Sequence, residues 1–224
     1  MNPIVKIITF DLETTGLDTA KDEIIEIGAY LFSVKESRGR MVPEKLDEFQ
    51  SLVKSVKPVP ESATKINHIT NEMLVGAPSC AEVLKKFKTF CDNANCLIAH
   101  NASFDTGFLN VAYGKHSVLA PDNFILDSIK IARNVVQMPN YQLGTIAEVL
   151  ENRNEISLKV KKDSAHRALY DCEMLMHVLV ALLRNRLSAE EWTAREFLPT
   201  LKKKDIHGDA TYIKPVRPKA AGLF

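Results

Sequence analysis

The 224-residue chain has little cysteine, one tryptophan and almost no net charge. Cys80, Cys91, Cys96 and Cys172 form no C-x-x-C pair and mostly stand among apolar neighbours, which argues against a zinc site and against a disulfide framework. A reducing, intracellular compartment fits, and a cytoplasmic location is expected. No apolar run reaches the roughly eighteen residues that would read as a membrane span. The N-terminus has no basic leader, its apolar run is broken by Lys6, and acids follow at once, so a signal peptide is not expected. No internal repeat occurs. A formal charge of +1 excludes the strong basic excess of a protein that coats long stretches of polyanion.

What is there is ordinary for a globular chain: 46% hydrophobic and 25% charged residues, enough for one well-buried core plus an appendage. Patterning predicts strands over about 4–11, 24–34 and 47–54, then a helix at 79–92, a strand at 96–100 and a helix at 103–113. A strand near 123–127 and helices near 128–135, 143–150 and 165–186 follow. Three successive strands can pair as an antiparallel meander, and the later alternation adds parallel strands. The expected fold is therefore α/β, a mixed sheet flanked by helices. Residues 1–187 read as one domain and 188–224 as a C-terminal helix with a flexible basic tail. Within that appendage, Ser188 to Glu191 forms a capping box opening a short helix through Phe197, which Pro199 stops.

The informative residues are acids. Asp11 and Glu13 close the first apolar run two residues apart, and a strand sends such a pair to one face. Two carboxylates that close repel unless a cation lies between them, and a divalent metal is the obvious candidate. As a lone D-x-E triplet, they could equally be solvated acids at a strand end. Asp105 falls in the first turn of a helix, where acids are favoured by the macrodipole in any case. Asp171 is harder to explain away. It shares a helical face with Ala168, Leu175, Val178 and Leu182, and an acid on a core-facing stripe costs several kcal/mol unless paired or bound to metal. His166 stands five residues before Asp171, roughly 140° away on a regular helix, so both reach one site only if His166 precedes the regular turns, with Ser164 as N-cap. Asp127 reads as an N-cap with no metal role.

Taken in order, Phe10-Asp11-Leu12-Glu13-Thr14-Thr15-Gly16-Leu17, Ala99-His100-Asn101-Ala102-Ser103-Phe104-Asp105 and His166-Arg167-Ala168-Leu169-Tyr170-Asp171 resemble the three motifs of the DEDDh (DnaQ-like) 3′–5′ exonucleases. That family includes bacterial replicative proofreading subunits. Asp22 to Ala29, Leu126-Asp127-Ser128 and Tyr141-Gln142-Leu143 are also in pattern. At Ile66-Asn67-His68-Ile69-Thr70 the chain departs from the family's usual Ile-His-Gly-Ile-Thr: Asn67 replaces a histidine and His68 a glycine. The resemblance implies a ribonuclease H-like five-stranded sheet and hydrolysis of nucleic-acid 3′ ends with two divalent ions, Mg²⁺ or Mn²⁺. Asp11, Glu13, Asp105 and Asp171 would be the ligands, an all-oxygen set that suits those ions over zinc, with Asp11 bridging both. His166 would be the general base, and the terminal nucleotide would lie along Thr14 and Thr15, near Ile66 and Asn67 and against Phe104. DNA is the expected substrate. RNA trimming is the alternative within the class, and a non-catalytic nucleic-acid-binding module the alternative outside it.

Other cations carry less. Lys159, Lys161 and Lys162 precede His166 and could contact phosphate or simply face solvent, and Lys85, Lys86 and Lys88 fit the outer face of an amphipathic helix. The tail from Lys202 onward ends Ala221-Gly222-Leu223-Phe224; it reads either as a solvated terminus or as a tether to a polymerase or sliding clamp.

Overall fold

The structure is a computed structural model that describes residues 4–158, 167–206 and 211–214. Its five-stranded sheet has the order β3-β2-β1-β4-β5. Central strand β1 (Lys6–Thr14) pairs antiparallel with β2 (Ile24–Ser37), which pairs antiparallel with β3 (Arg40–Leu52). On its other side β1 pairs parallel with β4 (Cys96–Ala99), and β4 with β5 (Phe124–Asp127). The meander followed by parallel strands is the mixed sheet the sequence implies.

The first three strands run further than the patterning predicts. β3 starts at Arg40, not near 47, and most of its side chains are exposed or half-buried. An edge strand with one wet side shows weak apolar alternation, and Pro43 is tolerated there because the edge does not need every N–H. Arg38 and Gly39 form the two-residue turn into it, both at positive φ, which matches the twist of a hairpin.

Seven α-helices are found among the described residues: α1 (Glu61–Asn67), α2 (Cys80–Cys91), α3 (Ala102–His116), α4 (Ser128–Val135), α5 (Leu143–Asn152), α6 (Ala168–Leu183) and α7 (Phe197–Lys203). Ile8, Phe10 and Leu12 of β1 face α2 and α3, whereas Val5 and Ile7 face α6 and the segment after it. The strand therefore separates two apolar layers, as its period of two demands. α1 was not expected. At seven residues it is too short to persist alone, and it is held by Ala63 packing with Ile25, Val59 and Ile69.

Two local expectations are corrected. α6 begins at Ala168, not near 165, with Arg167 in the N-cap position. The segment from Ser188 makes only a short 3-10 turn, Glu190–Trp192, with the Ser188 N–H donating to Glu191 Oε2 at 2.7 Å. The helix comes later, as α7, and Pro199 sits in its first turn, where no N–H is required. Trp192, Phe197, Leu201 and Ile206 are buried in the α6-side core, which places 188–206 in the same packed body. Lys202 and Lys203 end α7 rather than start a tail. Further on, Thr211 pairs with Ile125 and Ile213 is buried. Residues 215–224, with the expected tether, lie outside the described residues, as do Lys159, Lys161, Lys162, Ser164 and His166. Among the described residues no helix is long and apolar enough to cross a membrane.

Candidate active site

β1 is where the chain order across the sheet reverses, and the ends of such strands open into a crevice between the two layers. Asp11 and Glu13 lie there. Asp171, in the first turn of α6, enters from one layer, and the carboxylate oxygens of Asp11, Glu13 and Asp171 come within 4.8 Å of one another. Asp105 enters from the other layer in the first turn of α3. It is not part of that tight triad, but it is buried, and its Oδ1 has no hydrogen-bond partner.

The electrostatics are those of buried like charges, which disfavour the ionised form. Burial, then the charges of Asp105, Glu13 and Asp171, holds the Asp11 carboxyl well above the usual range. Glu13 is pushed up to about 8, by burial and then by Asp171 and Glu26, with Arg167 opposing. Asp105 is also pushed up to about 8, burial outweighing the backbone N–H groups that favour its charged form. An all-carboxylate set with an unpartnered buried oxygen fits a hard divalent cation.

Around the acids, the turn after β1 is stiff. Thr14 Oγ1 donates to Gly16 O at 2.6 Å, Thr15 N–H donates to Glu23 O at 3.0 Å, and a Cβ on Gly16 would meet the Asp22 carboxylate at 2.4 Å. Asn67, buried at the end of α1, reaches Thr14 O with its Nδ2 at 3.4 Å and accepts the Ile69 N–H at 3.0 Å. His68 takes the left-handed conformation, φ 59, so the turn forms without a glycine. Ile66 is exposed, and Phe104 is half-buried with its ring 5.0 Å from that of Phe108. The structure thus brings Asn67 against Thr14 at the end of the strand that carries Asp11 and Glu13. Asp127 caps α4 as expected, accepting the Ile129 N–H at 2.9 Å.

Three of the four acids thus converge, and the charge of the fourth, Asp105, bears on Asp11. The family model described as Exonuclease matches residues 8–179. The chain belongs to the exonuclease family. The DNA polymerase III PolC-type protein of Bacillus cereus is 34% identical over 179 residues, which is 80% of this chain and 11% of that protein. This exonuclease-family chain thus spans about a ninth of that relative's length. Two solved structures share the fold. Exonuclease X in complex with 5′ overhanging duplex DNA superposes with a TM-score of 0.57 at 23% identity, covering 84% of this chain and 97% of that one. A 3′-exonuclease described with 3′-end recognition of histone mRNA stem-loop gives 0.63 at 18%, covering 82% and 65%.

Sequence patterning of the exonuclease motifs missed one group, the partners of Glu26. This residue is fully buried and accepts from Arg167 Nε at 3.1 Å, Arg167 Nη2 at 2.7 Å, Ala168 N at 3.3 Å and Gln50 Nε2 at 2.9 Å. The available signal was an acid inside an otherwise apolar strand, Ile24-Ile25-Glu26-Ile27.

The raised acids make a prediction about stability. A carboxyl near pKa 4 when unfolded but near 8 when folded keeps its proton in the native state alone over that interval, so metal-free stability falls as pH rises from about 4 to about 8. Melting of metal-stripped protein across that range should show the fall, and Asp11→Asn should flatten it and melt higher at about pH 8. An unchanged slope in the variant would show that these acids do not repel.

Proposed function

We propose that the protein is a 3′–5′ exonuclease that releases nucleoside 5′-monophosphates from DNA 3′ ends. The convergence of Asp11, Glu13 and Asp171 within 4.8 Å carries this reading. These three, with Asp105, would hold two divalent ions, Mg²⁺ or Mn²⁺, which supply an activated water and stabilise the leaving oxyanion. The stiff Thr14-Thr15 turn, with Asn67, Ile66 and Phe104, holds the terminal nucleotide. His166 takes the attacking water's proton on its imidazole. DNA is favoured over RNA by the likeness to DNA polymerase III PolC-type proteins. Proofreading in the cytoplasm beside a replicative polymerase, with the C-terminal tail contacting polymerase or clamp, is the corresponding setting.

The test is Mn²⁺-dependent hydrolysis of the p-nitrophenyl ester of thymidine 5′-monophosphate, alongside digestion of matched 5′-labelled DNA and RNA oligomers. Stepwise shortening of the DNA from its 3′ end is expected, abolished by EDTA. Activity that survives thorough chelation rules out the two-ion account; faster loss of RNA reverses the substrate choice.

A further inference from the structure

Glu13 lies directly opposite Glu26 across the antiparallel β1–β2 pair, and Asp11 lies opposite Gly28. Residues opposite one another share a face, so a fully buried carboxylate stands beside the acidic cluster, an arrangement that like charges alone would disfavour. Arg167 meets it with a two-pronged ion pair. Arg167 is also the N-cap residue of α6, where no side chain of its own caps the helix, and Glu26 takes the free N–H of Ala168 from the neighbouring strand. The helix end is pressed on the sheet: a Cβ on Gly28 would lie 2.5 Å from Leu169 N. Thr9 Oγ1 donates to Cys172 O at 2.9 Å, and Cys172 Sγ to Gly28 O at 3.2 Å. Asp171 precedes Cys172 in this pinned turn.

We infer that the Glu26–Arg167 pair is a positioning device for the metal-ligand set: it fixes the start of α6 on β2 and so places the Asp171 carboxylate against Asp11 and Glu13. The inference rests on the exonuclease reading only in taking those three acids as ligands. The guanidinium fork makes two bonds in one plane, which an ammonium cannot reproduce. Gln50 on β3 steadies the same carboxylate, its Nε2 donating to Glu26 Oε1 at 2.9 Å.

The sign of the effect separates positioning from simple charge. Were the pair acting only through its field, Arg167→Gln would remove a positive charge and tighten cation binding, and Glu26→Gln would remove a negative one and weaken it. Positioning requires both variants to weaken it. Mn²⁺ affinity of the full chain, read as free Mn²⁺ by electron paramagnetic resonance, should fall about tenfold or more in each variant, the range usual for groups that orient metal ligands. The double variant should be no weaker than the worse single one, because the two act as a unit. Arg167→Lys should remain weak. Opposite signs in the two variants, full recovery with lysine, or lowered melting temperature with unchanged Mn²⁺ affinity would each overturn the proposal. Arg167 is about a third exposed, so its variants keep the test usable should Glu26→Gln fail to fold. A wild-type protein that binds Mn²⁺ yet hydrolyses no oligonucleotide sinks the exonuclease reading and leaves this inference standing; one that binds no Mn²⁺ overturns both.

Discussion

Asp11→Ala is expected to lower turnover of a DNA oligomer by about three to four orders of magnitude, equivalent to roughly 4–5.5 kcal/mol of lost transition-state stabilisation. The fold should survive and, without metal, become more stable. Asp11 is the acid on which the charges of Asp105, Glu13 and Asp171 all bear, and burial already drives it towards its protonated form. Removing it relieves repulsion while taking away the ligand at the centre of the set. Single-turnover kinetics and thermal melting of the same preparation read the two effects separately. Asp171→Ala should lose activity to a similar degree. If Asp11→Ala unfolds the protein, or leaves turnover within tenfold, the acid is structural and the metal-centre assignment falls.

His166→Ala should lower kcat by roughly a hundredfold or more, the usual contribution of a positioned base, while KM for the oligonucleotide and the Mn²⁺ affinity barely change. The imidazole must be neutral to accept a proton, so the wild-type rate profile should bend and fall on its acidic limb as the imidazole is protonated. In the variant that bend disappears and the rate climbs with hydroxide. A variant that keeps both the wild-type rate and the bend would leave the mechanism without its base.

The sequence by itself determined where the acids Asp11, Glu13 and Asp171 would sit on their elements and the kind of sheet that carries them. A strand's period of two put Asp11 and Glu13 on one face, and the helical period of α6 put Asp171 on the stripe of Ala168, Leu175, Val178 and Leu182, all buried in the structure. Asp105 at the first turn of α3 and Asp127 as the cap of α4 were equally legible, because turn and cap chemistry acts over a few residues. Local periodicity could not show the length of β3, whose edge position dilutes its alternation, or α1, which is stable only against Ile25, Val59 and Ile69. It misplaced the helix after Ser188 because a proline in a first turn looks like a stop signal from sequence alone. Only the tertiary structure decided that Glu13 faces Glu26, that Arg167 answers that charge from 141 residues away, and that a histidine at 68 takes the backbone conformation a glycine would. Those outcomes depend on strand register and on a close helix approach over Gly28, contacts between segments far apart in the chain, which no local pattern encodes.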